Sequence, residues 1–206
     1  MDEIVFPPGA FRRLDDEDDH LFYAWPRRVV HLDDAALAAL TRLYGAVVTP
    51  TGCVLDLMAS WRSHLPPWFR GTVIGLGLNG EEMRDNPQLG QALVHDLNRE
   101  PRLPLNDEAF DAALCAVSVQ YLTHPVEVFR EVRRTLKPGA PFVVSFSNRC
   151  FHEKAVALWH AANDAQHAAI VTAYFRSSGS WEALTEFAHT PPTGDPLCVV
   201  WGLKTG

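Results

Sequence analysis

Apolar residues recur along this chain in two rhythms. Leu37, Leu40 and Leu43–Tyr44 follow helical spacing. Asp33 or Asp34 stands before them as an N-cap, and Gly45 follows as a stop, so a helix is expected to about Tyr44. The second rhythm is a series of short, nearly unbroken apolar runs: Val54–Leu57, Gly71–Leu78, Ala92–His95, Ala109–Val117 and Pro141–Ser145. Such runs fit strands buried on both faces. Between them lie a short acidic turn of helix, Glu81–Arg84, closed off before Asn86-Pro87, and a polar loop, Leu103–Glu108. Pro125 then opens a helix, Val126–Leu136, whose last turn carries Arg133, Arg134 and Lys137, as the helix dipole favours. Pro138-Gly139 stops it. Strands alternating with helices imply a parallel sheet with right-handed crossovers.

The two ends differ from this middle. The first 30 residues are irregular and aromatic, with Pro7-Pro8 and Phe22-Tyr23-Ala24-Trp25-Pro26. Near the other end, two helical stretches, about Glu153–Ala162 and Ala165–Phe175, precede two strands, Trp181–Phe187 and Pro196–Lys204, joined by a turn at Thr190–Asp195. The reading is one domain over 1–206: an N-terminal arm (1–30), a ligand-binding core (31–147), a helical insertion or lid (148–178) and a C-terminal hairpin (179–206).

Composition narrows the function. A chain of 206 residues, 47% of them hydrophobic, suits one α/β domain. The net charge of −7 argues against nucleic acid, which calls for clustered Lys and Arg. The acidic run Asp15–Asp19 reads as a solvated segment. The four cysteines, at 53, 115, 150 and 198, make no C-x-x-C pair, and no two histidines have zincin spacing, so no metal is expected. Cys53 and Cys115 fall in apolar runs as small core residues. The N-terminus lacks the basic and apolar regions of a signal peptide, and no apolar run approaches the ~20 residues of a membrane span. No membrane association and a cytoplasmic location are the expectations.

Ligands of parallel sheets bind beyond the carboxyl ends of the strands, and Asp56 and Asp96 stand at two of those ends. Gly75-Leu76-Gly77-Leu78-Asn79-Gly80 spells G-x-G-x-x-G, which a dinucleotide fingerprint places between a completed strand and an opening helix. Here Thr72-Val73-Ile74 is short and the following helix is soon interrupted, so a nicotinamide-dependent reductase is the third reading. Among nine histidines, His31 and His64 are the candidates for active-site duty. Arg27-Arg28 either hold an anionic substrate or are simply exposed. Phe22, Tyr23 and Trp25 either cover a flat substrate or pack the arm onto the sheet.

Four segments carry a family resemblance. Val54-Leu55-Asp56-Leu57 resembles the strand half of a V-L-D-L-G-x-G-x-G motif, with Met58-Ala59-Ser60-Trp61 where its glycines stand. Leu103-Pro104-Leu105-Asn106-Asp107-Glu108-Ala109-Phe110-Asp111 resembles L-P-F-x-D-x-x-F-D. Glu131 to Gly139, Glu-Val-Arg-Arg-Thr-Leu-Lys-Pro-Gly, resembles E-x-x-R-V-L-K-P-G-G. Asp195-Pro196-Leu197 to Gly202-Leu203-Lys204 resembles a last-strand ending. In this order they resemble the class I S-adenosylmethionine-dependent methyltransferases, in their small-molecule "type 11" branch.

The resemblance implies a Rossmann-like, mostly parallel seven-stranded sheet of order 3-2-1-4-5-7-6, closed by an antiparallel hairpin. It implies S-adenosylmethionine as cofactor and a small molecule as methyl acceptor. It places Asp56 with Met58, Ala59 and Ser60 at the cofactor's methionine end. Asn79, where the family carries a ribose-binding acid, and Glu82 one turn on fall at the ribose; Asp96 and Leu97 fall at the adenine. Ser118 would flank the methyl-donor end, and Tyr121 and His31 would orient or deprotonate the acceptor. The alternative is a binding or interaction module of the same fold without catalysis, suggested by the missing glycines and Asn79.

Overall fold

The computed structural model describes residues 4–206. The elements in chain order are α1 (Asp19–Phe22), α2 (Asp34–Val47), β1 (Cys53–Leu57), β2 (Thr72–Gly77), α3 (Gly80–Arg84), β3 (Gln91–Val94), β4 (Ala112–Ala116), α4 (Pro125–Thr135), β5 (Pro141–Phe146), α5 (Ala157–His160), α6 (Asp164–Ser178), β6 (Trp181–His189) and β7 (Leu197–Lys204). One sheet holds all seven strands in the order β3-β2-β1-β4-β5-β7-β6. β1 to β5 are parallel, and β7 runs antiparallel to both β5 and β6. This is the order the family resemblance implies.

The alternation of side chains along each strand builds two apolar layers. On one face Leu55, Leu57, Ala113, Cys115, Phe142 and Val144 pack against Phe129 and Val132 of α4 and Val171, Tyr174 and Phe175 of α6. On the other, Val54, Val73, Ala112, Leu114, Val143 and Val199 pack against Ala36, Leu40 and Tyr44 of α2 and against Leu65. Each fully buried large side chain contributes about 1.5–3 kcal/mol.

Asp33 is the N-cap of α2, its Oδ1 accepting from Ala36 N at 2.9 Å. The helix runs past Gly45 to Val47. Gly45 is there for close packing, since a Cβ would stand 3.0 Å from the Trp68 ring and 3.2 Å from Pro66. The expected strand over Ala109–Val117 shrinks to Ala112–Ala116, because Ala109 N and Phe110 N bond Thr135 O at the end of α4 instead of a neighbouring strand. The first tail helix breaks into a 3₁₀ turn at His152–Lys154 and the short α5.

The β1–β2 crossover contains no helix. Residues 58–71 form a loop in which Pro66 and Pro67 lack the N–H groups a helix needs. The loop folds back along β2: Ala59 N donates to Leu76 O at 2.8 Å. Gly75 and Gly77 make that approach possible. A Cβ on Gly77 would overlap Ala59 O, and one on Gly75 would meet Leu89 Cδ1 at 2.6 Å. The two glycines of the G-x-G-x-x-G run therefore lie inside a strand, cleared for the protein's own backbone. Asn86 pins the loop, its Nδ2 donating to Ser60 O (3.0 Å) and Ser63 Oγ (2.9 Å).

The acidic run is not simply solvated. It wraps a fully buried lysine, Lys154, whose Nζ lies 2.9 Å from Asp15 and 3.1 Å from Asp19 and donates to Glu17 O at 3.0 Å. Asp19 is itself buried and takes both Nη1 bonds of Arg13, at 2.7 and 2.8 Å. These pairs hold Asp19 below the usual carboxylate range although burial pushes it up. The arm then pairs with the segment after β5, through Ala157 N to Arg12 O (2.7 Å) and Leu158 N to Ala10 O (2.8 Å).

Candidate functional site

The carboxyl ends of β1, β2, β3 and β4 open into one cleft, roofed by the arm and by Phe151. Among the described residues, three of the five non-glycine residues with positive φ line it: Met58 (φ 55°), His64 (57°) and Val117 (44°). Each costs roughly 1–2 kcal/mol for an L side chain. Met58 thus makes the turn that the family motif assigns to glycine. Val117, β-branched, is held there by its N–H to Ser145 O at 2.8 Å. Backbone strain of this kind gathers at functional sites.

At the floor of the cleft, Asp56 is 3% exposed and its Oδ2 has no hydrogen-bond partner. Burial pushes its carboxyl up to about 7, with the Ser63 hydroxyl pulling the other way. Tyr44 Oη and Ser145 Oγ, on the same side of the sheet, are also buried and unpartnered. His64 lines the same end, where burial and then Arg62 lower its imidazole to about 4. His31 is lowered too, by burial and then Arg149, so both rings are neutral at pH 7.

At the β2 end, every polar atom of two expected ligand groups already has a partner. Asn79 Oδ1 caps α3, accepting from Glu81 N (3.0 Å) and Glu82 N (2.9 Å), while its Nδ2 donates to Tyr23 O (2.8 Å). Glu82 accepts from Arg27 N through one oxygen and from Ser60 Oγ through the other. At the β3 end, Asp96 Oδ1 accepts from Asn98 N (2.9 Å) and Arg99 N (3.3 Å), and Leu97 is buried beside it. At the β4 end, Ser118 Oγ donates to Ala116 O at 2.8 Å.

The roof is aromatic. Phe151 meets His31 edge-on at 4.7 Å, Phe22 at 5.4 Å and Tyr121 face-on at 6.0 Å. Tyr121 Oη accepts from Phe151 N at 2.8 Å, and burial raises its phenol well above the ordinary value. Asn98 ties roof to floor: its Nδ2 donates to Asp19 Oδ2 (2.9 Å) and Tyr121 O (3.0 Å), and its Oδ1 accepts from Thr123 N (2.8 Å).

All eleven residues singled out in the sequence sit at or beside this cleft, with His31 brought in by the arm and Ser60 turned toward Glu82. Sequence reasoning missed Asn98, Phe151 and Asp19. Only Asn98, next to Asp96-Leu97, stood near a recognisable signal. Among the described residues, Asp18, His20 and Asp96 bring potential metal ligands within 4.8 Å of one another at the rim; Asp18 and His20 are exposed, and exposed acids take this geometry without an ion.

Comparison with known proteins gives a partial family match. Residues 58–144, less than half of the chain, match the family described as a methyltransferase domain. That stretch is similar to a methyltransferase domain. A 43-residue stretch is 42% identical to the biotin biosynthesis bifunctional protein BioHC of Teredinibacter turnerae, spanning 21% of this chain and 8% of that protein's length. Solved structures share the chain's fold at low identity. The [4+2]-cyclase SpnF superposes with a TM-score of 0.61 at 14% identity, over 81% of each chain. A putative methyltransferase of Bacillus halodurans gives 0.57 at 13%, over 84% of this chain and all of that one. Geranyl diphosphate C-methyltransferase of Streptomyces coelicolor, in complex with S-adenosyl-L-homocysteine, gives 0.57 at 14%, over 84% and 76%.

Whether the cleft suits an adenosyl sulfonium turns on its own donors and acceptors. The unpartnered Asp56 oxygen calls for a donor such as an ammonium, and Asp96 keeps one oxygen free of its own turn. The ends of β1, β3 and β4 fit. The β2 end fits only once Tyr23 and Arg27 give up Asn79 and Glu82.

Proposed function

We propose that the cleft binds S-adenosylmethionine and passes its methyl group to a small molecule. The buried, unpartnered carboxylate oxygen of Asp56, at the floor of a cleft built from four strand ends, carries this reading. The cofactor supplies a methyl carbon on a positively charged sulfur, for transfer in line to a nucleophile. Asp56 holds the ammonium of the methionine part, and that charge draws Asp56 back to its ionised form. Met58, Ala59 and Ser60 turn the backbone around this end. Asp96 and Leu97 hold the adenine, and Ser118 lines the reacting end. His31, neutral at pH 7, takes the acceptor's proton where one must leave. Tyr121, its phenol kept protonated, orients the acceptor. Alignment of two partners in a closed cleft supplies several kcal/mol of barrier lowering. The arm, core, insertion and hairpin are read as one domain acting in the cytoplasm; among the described residues, no helix is long and apolar enough to cross a membrane.

The test is binding to the full chain. S-adenosylmethionine or S-adenosylhomocysteine at ~100 times its dissociation constant is expected to raise the melting temperature by roughly 5–10 °C, with NADPH giving no rise. Asp56→Asn, which keeps the shape, is expected to weaken binding at least about tenfold. Equal affinity in the folded variant, or no shift with either adenosyl compound, rejects the assignment.

The second reading, a binding module without transferase activity, draws on the four non-glycine residues at 58–61 and on the occupied β2 end. It predicts binding without turnover, so that no S-adenosylhomocysteine accumulates with any acceptor.

A further inference from the structure

We infer that the segment Tyr23–Arg27 is a strap seated where a nucleoside's ribose belongs, and that an adenosyl ligand enters only as this strap leaves. The inference rests on the cofactor reading above and concerns what the free protein does with the same groups.

The two bonds that dock the strap are of the kind a ribose diol makes. Arg27 N–H donates to Glu82, as a hydroxyl hydrogen does. Tyr23 O accepts from Asn79 Nδ2, as a hydroxyl oxygen does. The remaining capacity at this end is taken within the core, by the α3 cap and Ser60. Glu82 is only 5% exposed, so no water competes for it. Diol and strap therefore exchange one for one: each satisfies the same buried carboxylate, and neither leaves it bare.

The strap is also built to move. Its two ends are fixed, on one side by Asp19 held by Arg13, Lys154 and Asn98, and on the other by Leu32 in the core and Asp33, which accepts from Asp195 N at 2.8 Å. Residues 20–31 span these anchors. Within them Ala24, Trp25, Arg27, Arg28 and Val29 are exposed, Trp25 at 80%. Phe22 and Tyr23 also pack edge-on against Phe151, at 5.4 and 6.3 Å; the rest of what holds the span is superficial. Arg28 pairs with Asp85 at 2.5 Å and Glu81 at 3.1 Å, all three side chains being exposed, and Trp61 Nε1 donates to Val29 O at 3.2 Å. Exposed pairs of this sort contribute at most about 1 kcal/mol. Release gives up these surface bonds and the Phe22 and Tyr23 contacts with Phe151, while the anchors stay in place.

Hydrogen exchange of the full chain, with and without saturating S-adenosylhomocysteine, tests this directly. Amides within 23–29, Arg27 above all, are expected to exchange faster in the complex, while His31 stays packed on Phe151. Arg27→Pro removes the N–H that occupies Glu82 and leaves Glu82 itself intact. It is expected to bind S-adenosylhomocysteine about tenfold more tightly than the natural chain. Arg28→Ala, a surface change that leaves the fold untouched, is expected to tighten binding about twofold to fivefold. Binding by the natural chain with residues 23–29 protected, together with weaker binding by Arg27→Pro and Arg28→Ala, overturns the strap and makes the segment a lid, leaving the cofactor reading intact. No binding by the natural chain or by either variant overturns the cofactor reading, and the strap with it.

Discussion

Asp56 shows how much one side chain in this cleft carries. Folding raises its pKa from 3.8 to about 7, so the folded chain holds a proton that the unfolded chain releases. Its penalty is absent below pH 3.8, grows as pH rises to about 7, and is constant above that. At full size it is on the order of 4 kcal/mol. Asp56→Asn is expected to be more stable than the natural chain at pH 8 and no more stable at pH 4, in urea melts at both values. A gap that does not change with pH would show that Asp56 is already ionised and paired. Asp56 and Asp96 were legible because an acid after a short apolar run has few structural uses. Phe151 was not, since it reaches the cleft only through a loop whose path depends on distant residues. The partners of Asn79 and Glu82 were equally hidden, being backbone groups on the far side of the chain.

The element least like its counterparts is the loop 58–71. Strand positions were readable because runs such as Val54–Leu57 and Pro141–Phe146 are apolar on both faces, as central parallel strands require. The absent crossover helix was less so: Pro66-Pro67 argues against a helix, but nothing local says that the chain instead lies against β2. Gly75 and Gly77 held that information in a form that resembles a nucleotide motif. Gly77→Ala is expected to push Ala59 off β2 and to destabilise the fold by about 1–3 kcal/mol in chemical denaturation. It should also weaken adenosyl binding, because Met58 and Ser60 move with the loop. A fully stable Gly77→Ala would mean that the loop is free to lift.

At the scale of the molecule, the buried ion cluster joins the arm to the insertion. Lys154 is 0% exposed and sits among the carboxylates of Asp15 and Asp19 and the backbone carbonyls of Asp15 and Glu17. Lys154→Met removes one partner and leaves buried carboxylate charge, at an expected cost of roughly 3–5 kcal/mol. Limited proteolysis should then cut near residues 14–20 before it cuts the sheet; simultaneous loss of both would mean the arm and sheet unfold together. The acidic run misled the sequence reading because its cation lies more than a hundred residues away.

The sheet order has its own consequence for synthesis. β7, last of the strands to leave the ribosome, lies between β5 and β6, both made before it. Until Leu197–Lys204 emerges, β6 has nothing to pair with and β5 presents an open row of N–H and C=O groups. Exposed rows of that kind recruit other chains. The nascent protein therefore passes through a sticky stage that ends only when its final strand slides into the gap, and a chain cut short before Leu197 stays there.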